Sequence, residues 1–411
     1  MGARTPPVLL VLMGAWGYVS GIHGSVAPFV AKSFELSGTG LARLWLGIGV
    51  ASLASLALGR LADHVGRRRV LLACFAAMPL AAGVAALAPG PSVYVLGQGL
   101  AFAAGATLLG VGTVAIAEAL PEGARAPAQG RAGLDLTGAS ALPLAVVGLG
   151  AGLATPWRLV WAGAGLWLLA LPWARGNLVE AEGVARIQRR SEAAPRWREL
   201  VRRDRVPRLL PALAAVLLVQ TAEISVRAWL LHHPVRALGL PVPLAIGVLV
   251  AGGGLGLVGF RLGGQLAERI GRRPTFALAG ALFATSAVAY YEGSLLVSGG
   301  TQLTLLIVSM VGLSVGGNAA LTAFRSLIVE LFPAARRGDA GGLLGLGHGL
   351  GWIFSMALAS WLAAPLGGVG PATAAWVGIA LPAAVAVLTL LPETAGCVLD
   401  PEKPDEDLVR C

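Results

Sequence analysis

Apolar runs long enough to cross a bilayer, which takes roughly 20 residues each, follow one another along almost the whole chain. Twelve begin near residues 8, 41, 70, 92, 130, 157, 208, 242, 275, 302, 339 and 372. They are continuous rather than alternating, which predicts helices; an open sheet cannot satisfy its backbone in lipid. The one long polar connection covers residues 174–207, rich in arginine and glutamate and holding Pro195 and Pro207. The pattern predicts an all-α polytopic membrane protein of twelve transmembrane helices in two pseudo-symmetric six-helix bundles. The N-terminal bundle takes 1–173, a cytoplasmic linker loop 174–207, the C-terminal bundle 208–391 and a cytoplasmic tail 392–411.

Composition and charge sharpen this. Of the 411 residues, 56% are hydrophobic and 13% charged, and the mean hydropathy is +0.75, a balance that a soluble chain cannot carry on its surface. The formal net charge of +10 taken alone points to nucleic acid, but the arginines fall in alternate loops, as the positive-inside rule requires. Arg60, Arg67 to Arg69, Arg125, Arg131, the run from Arg175 to Arg208, Arg261 to Arg273 and Arg336–Arg337 share one side. That side is expected to be the cytoplasm, with both termini there and the protein in the cytoplasmic (inner) membrane. No nucleic-acid partner is expected. The first apolar run is too long for the core of a signal peptide and is read as an uncleaved first helix. Cys74, Cys397 and Cys411 offer neither a disulfide framework nor a metal cluster, so no cofactor or metal is expected.

Two elements occur twice. Gly59-Arg60-Leu61-Ala62-Asp63-His64-Val65-Gly66-Arg67-Arg68-Arg69 returns as Gly264-Gln265-Leu266-Ala267-Glu268-Arg269-Ile270-Gly271-Arg272-Arg273. Each copy holds two glycines, an acid between them and paired arginines, which makes a short turn with fixed charges. Glu118-Ala119-Leu120-Pro121 leading to Arg125 returns as Glu330-Leu331-Phe332-Pro333 leading to Arg337. Here a proline ends the helix, and the acid and guanidinium on either side can meet in a charge-assisted hydrogen bond. The expected latch on the cytoplasmic face pairs Asp63, Glu118, Glu268 and Glu330 with Arg67, Arg125, Arg272 and Arg337, and Asp135 and Arg325 are placed with this gate.

Both repeated elements resemble signature motifs of the major facilitator superfamily, and the resemblance runs the length of the chain. Glu330-Leu331-Phe332-Pro333 with Arg337-Gly338, Leu391-Pro392-Glu393-Thr394, and Gly17-Tyr18 with Gly21-Ile22 are similar to the sugar and metabolite porter branch. The resemblance implies a secondary transporter in which helices 1, 4, 7 and 10 line a central cavity. Helices 2, 5, 8 and 11 would join the halves, and 3, 6, 9 and 12 would face lipid. It also marks departures. The aspartate that proton-coupled sugar porters carry after Gly-Tyr is Val19 here, and their helix-4 arginine is Gln98. Helix 7 runs Val219-Gln220 into Glu223-Ile224-Ser225 rather than through a Gln-Gln pair, and Ala141-Leu142-Pro143-Leu144 lacks the antiporter signature of helix 5.

Polar residues inside apolar helices are costly and usually face a cavity or one another. The candidates for substrate binding or proton coupling are His23, Gln98, Gln220, Glu223, Arg227, Asn318, His348 and Trp352. Glu223 and Arg227 stand one turn apart and can neutralise each other; an imidazole titrates near neutral pH and can relay protons. Interhelical hydrogen bonding alone would account equally well for Gln98, Gln220 and Asn318. Glycine runs such as Gly252-Gly253-Gly254 lack the Lys-Ser or Lys-Thr of a phosphate loop, so neither ATP hydrolysis nor other enzymatic catalysis is expected. The favoured function is uptake of a small polar organic solute, with the proton as candidate coupling ion and a monomer as the working unit. Export of drug-like or biosynthetic products is the alternative, and a non-transporting membrane receptor is a third reading.

Overall fold

A computed structural model describes residues 6–118, 122–150, 152–153, 155–178, 206–331 and 337–395. The described residues form helices and turns with no strand. The first half holds α1 (Pro7–Ser33), α2 (Gly38–Ser52), α3 (Ala54–Val65), α4 (Arg67–Ala86), α5 (Pro91–Glu118), α6 (Glu122–Leu149), α7 (Pro156–Gly163) and α8 (Leu171–Asn177). The second holds α9 (Val206–Trp229), α10 (Val242–Gly256), α11 (Val258–Ile270), α12 (Arg272–Tyr291), α13 (Gly299–Glu330), α14 (Arg337–Leu362) and α15 (Val369–Leu388). Together they make twelve crossings, because α2 with α3 and α10 with α11 are single crossings broken at Leu53 and Leu257. The sixth crossing is α7 and α8 joined by a 3-10 stretch, Ala164–Ala170.

Ten described stretches are by themselves long and apolar enough to span a bilayer. The sixth falls short through its interruption, and α12 through its polar Thr275, Thr285 and Ser286. Most crossings start within three residues of the expected positions. The exception is α6, which starts at Glu122 rather than near 130 because the helix continues beyond its apolar core. Proline at the first turn of α1 and α7 supplies the helical φ where no N–H is needed.

The sequence repeat is a structural repeat. Gly66 and Gly271 end the second and eighth crossings at φ 99° and 102°, backbone that a residue with a Cβ adopts only under strain. The arginines that follow also correspond. Arg68 Nε donates to Leu178 O at 2.6 Å and its Nη2 to Arg175 O at 2.7 Å. Arg273 Nη1 donates to Leu391 O at 2.9 Å. Each arginine thus satisfies carbonyls at the end of the last crossing of its own half, where a helix leaves them open.

The halves meet as the resemblance implies. The eleventh crossing, α14, packs along α2 and α5, while α6 packs along α10 and α11. Gly49 approaches the backbone of Ile353 so closely that an added Cβ would lie 2.8 Å from its nitrogen. Outward faces of the third, sixth, ninth and twelfth crossings are apolar: Leu80, Leu169, Leu278 and Ile379 are all exposed, which only a lipid solvent makes acceptable.

Candidate functional site

Side chains in a helix lean toward its N-terminus. The first, seventh and eleventh crossings start at the arginine-rich face, whereas the fourth and tenth start at the opposite one. Polar residues on neighbouring cavity helices can therefore reach one another across several residues of depth.

Nearest the opposite face, both halves contribute to a plug of aromatic rings. His23 on α1 is 1% exposed, and its ring centroid lies 4.1 Å from Phe102, 5.8 Å from Trp45, 5.9 Å from Trp161 and 5.1 Å from Trp352. Trp352 belongs to α14 and so crosses from the second half, as does Trp229, 5.4 Å from Trp45. Edge-to-face and tilted pairs of this kind add about 0.5–1.5 kcal/mol each beyond their buried area. Backbone seals the same level: Arg236 Nη2 donates to Pro28 O at 3.1 Å, and Gly24 lies against the carbonyl of Arg227. Of the plug residues, His23 and Trp352 were legible as candidates. Trp45, Trp161 and Trp229 were not, since a tryptophan near a helix end otherwise signals the membrane interface.

The plug is aromatic but not apolar. Among the described residues, both ring nitrogens of His23, both amide atoms of Gln98 and the indole N–H groups of Trp45, Trp229 and Trp352 are buried without a well-formed hydrogen bond, as are Gln220 Oε1 and His348 Nε2, although the Ser20 backbone stands beside His23 and the Tyr94 hydroxyl beside Gln98 and Trp45. Each such group costs about 1–3 kcal/mol when left unsatisfied. Gln98 and Gln220 belong to this set, one from each half. Asn318 does not: its Nδ2 donates to Gly256 O at 3.0 Å, satisfying a carbonyl at the break between α10 and α11. Its polarity is spent on that break.

Below the plug lies a charged group drawn almost wholly from the second half. Arg227 Nε is 2.5 Å from Glu223 Oε1, with Glu223 13% and Arg227 41% exposed at the side chain. Glu223 and Arg227 are the charges acting on Arg325, and all three act on His348. Arg325 had been expected at the gate because it is five residues from the end of α13. Its long side chain leans toward the helix N-terminus, away from the arginine-rich face, which brings it within electrostatic reach of Glu223 and Arg227. Spacing of α9 and α14 is fixed by Gly347 against Val216, Gly351 against Gln220, and a Ser225–Ser355 hydroxyl pair at 2.8 Å.

The gate residues fall into two sets. Side chains of Asp63, Glu118, Arg125 and Arg337 lie outside the described residues, so the Asp63–Arg67, Glu118–Arg125 and Glu330–Arg337 pairs do too; Arg67 is half-buried at the start of α4. Asp135 is exposed on α6, where the charge acting on it is Arg131. Arg272 does meet Glu268, at 2.7 Å. It also holds Glu330 through Nε at 3.3 Å and Nη2 at 3.2 Å, and Thr394 Oγ1 donates to Glu330 Oε2 at 2.5 Å.

Sequence reasoning passed over Glu393 as a partner in this node. Its Oε1 accepts from Arg272 N at 2.8 Å and its Oε2 from Arg273 N at 2.9 Å, capping the open N-terminus of α12. Burial alone would raise its pKa, but the backbone donors of Arg273, Arg272, Ala395 and Thr394 outweigh burial and hold it below the usual value of 4.5. A depressed carboxylate stabilises the fold fully above its unfolded pKa, and that contribution fades as pH falls through the folded one. Glu393→Gln should therefore lower the unfolding temperature at neutral pH, with the gap to wild type closing as the medium is acidified through and below the ordinary carboxylate range. A gap that stays constant or widens in acid would remove the cap assignment.

Two bundles of six helices, joined along the second, fifth, eighth and eleventh crossings around a central polar group, define a secondary transporter of the rocking kind. The sequence matches the Major Facilitator Superfamily over residues 9–300 and 262–406, and the chain belongs to that family. Among solved structures it is similar to the proton:xylose symporter XylE bound to 6-bromo-6-deoxy-D-glucose, with TM-score 0.72, 16% identity, and 96% of this chain and 98% of that one covered. A crystal structure of a D-xylose-proton symporter gives TM-score 0.71 at 18% identity, covering 95% and 98%. The inward-open xylose transporter XylE from E. coli gives 0.70 at 16%, covering 96% and 97%. At such identities the likeness is one of fold. No curated protein matches the chain by sequence.

Proposed function

We propose that this protein carries a small polar organic solute across the cytoplasmic membrane by alternating access, coupled to protons, with its arginine-rich loops and both termini in the cytoplasm. The bundles over 1–173 and 208–391 rock as units, the repeated acid–arginine elements brace the cytoplasmic ends of the helices, as Glu268, Arg272 and Glu330 do within the second half, and one chain is the working unit. The carrying observation is the set of buried polar groups, contributed by both halves, that lack a well-formed hydrogen bond among the described residues: His23, Gln98, Gln220, His348 and the indoles of Trp45, Trp229 and Trp352. An apolar passenger would leave every one of them unsatisfied; a polar one supplies partners.

Sugar porters named in the comparisons are proton symporters, but the positions of their charge pair are Val19 and Gln98 in this chain. Of the ionisable candidates, His23 on the first half is packed among the rings of the plug, and Glu223 and His348 stand on the other half; these two are the groups we assign to the coupling proton. The tryptophan wall would also suit a lipophilic cation, the passenger expected of an exporter. Two guanidinium groups against one carboxylate below it favour uptake of a polar solute over that reading.

Purified protein in liposomes, given an inward proton gradient, should accumulate a polar metabolite from a mixed panel. Gln98→Ala and Gln220→Ala should each cut the rate at least tenfold while leaving the protein monodisperse. Movement of lipophilic cations alone would replace uptake by export.

A further inference from the structure

We propose that the solute is a hydroxylated monocarboxylate, its carboxylate held by Arg325 beside Arg227 and its hydroxyls by the amides and indoles above. This rests on the transport reading and names its passenger.

The argument is one of charge. Among the described residues the group below the plug holds Glu223, Arg227 and Arg325 as charged side chains and His348 as a titratable one. Glu223 is paired with Arg227 at 2.5 Å, which leaves Arg325 with no hydrogen bond or ion pair to any described residue. Its side chain is half-buried rather than fully enclosed, so a small polar group can reach it. An unmatched charge within a bilayer costs about 2.5–3.5 kcal/mol even on the most permissive scale, and cations kept there mark substrate or ion paths. A guanidinium presents a planar fork of donors that one carboxylate fills bidentately.

Other passengers fit less well. A cation would meet an excess of positive charge. A neutral sugar would satisfy the upper amides and leave Arg325 uncompensated. Before the coupling proton binds Glu223 or His348 the group carries a single excess positive charge, which a monoanion matches and a dianion exceeds. Gln220 Oε1 and His348 Nε2 lack partners and lie on the two crossings adjoining the charged group, while Gln98 and the indoles stand above it. One anionic end and a hydroxylated body match that vertical order.

The probes are gluconate and lactate as monoanions, glucose as a neutral counterpart of gluconate, glucarate as its dianion, and tetraphenylphosphonium as a lipophilic cation. Thermal unfolding of the full chain in nanodiscs is the readout, since a ligand that binds only the folded state raises the midpoint. Gluconate should raise it by several degrees, more than lactate, with glucose and glucarate at least tenfold weaker in half-saturating concentration. Arg325→Gln should abolish the gluconate response, and Arg325→Lys, which keeps the charge without the fork, should weaken it about tenfold. The Lys variant guards against a Gln variant that fails to fold. Equal responses to glucose and gluconate, or a gluconate response unchanged in both variants, overturns the monocarboxylate assignment while transport stands. No flux of any probe or panel solute in liposomes overturns the transport reading itself.

Discussion

Gly24→Val is expected to stop net transport without unfolding the protein. The first and seventh crossings touch backbone to backbone at this point: a Cβ on Gly24 would come 2.6 Å from the carbonyl oxygen of Arg227, an atom of a helix main chain that cannot swing aside. Those helices belong to different halves, so the contact exists only while the halves are closed at the face opposite the arginine motifs. Added bulk in a packed contact costs about 1–3 kcal/mol, and the cost falls on this state alone. By the usual conversion, 1.4 kcal/mol is a tenfold change in population, so the closed state drops roughly 5- to 150-fold. Impermeant thiol labelling checks this with a cysteine at Ser25, buried in the present state, in a chain whose Cys74, Cys397 and Cys411 are serine. Labelling from the opposite face should rise in the valine variant while uptake falls at least tenfold. Wild-type uptake by that variant would mean that closure does not pass through this contact.

The contrast between what was and was not legible follows from the range of the interactions. Twelve crossings, two halves and the paired turns are properties of contiguous sequence: an apolar run, a glycine before arginines, a proline after an acid. Gly66 and Gly271 were identifiable as turn residues from spacing alone, and both carry the positive φ such turns require. Glu223 and Arg227 were legible as a pair because one helical turn separates them. The aromatic plug was not, because Trp45, Trp161, Trp229 and Trp352 sit on four crossings and meet only through the angles at which those crossings pack. Arg325 was placed with the gate by counting residues from the helix end; the structure puts it within electrostatic reach of Glu223 and Arg227, a contact that depends on the lean of a long side chain and not on spacing. Glu330 was paired in sequence with Arg337, a pair that lies outside the described residues; the structure gives it a further partner, Arg272, 58 residues earlier, which no local spacing could have named.

The Arg272–Glu330 contact sets the second large effect, on stability rather than transport. Arg272 has only 7% of its side chain exposed, and its two carboxylate partners differ: Glu268 is 62% exposed and Glu330 22%. An exposed ion pair contributes about 0–1 kcal/mol because water and salt screen it. Removing the inner partner of a buried guanidinium costs about 3 kcal/mol, the low end for a broken buried pair, since Glu268 keeps part of the compensation. Glu330→Ala also strips the acceptor from Thr394 Oγ1, loosening the tail that carries Glu393 and with it the cap on α12. The expected order of unfolding midpoints in detergent is therefore wild type, then Glu268→Ala within a degree or two, then Glu330→Ala well below both. Glu330→Gln should fall between, because its amide can accept from Thr394 and Arg272 without the charge. If Glu268→Ala proved as harmful as Glu330→Ala, Arg272 would be held from the surface side, and the turn between the eighth and ninth crossings, not the end of the tenth, would anchor this corner of the bundle.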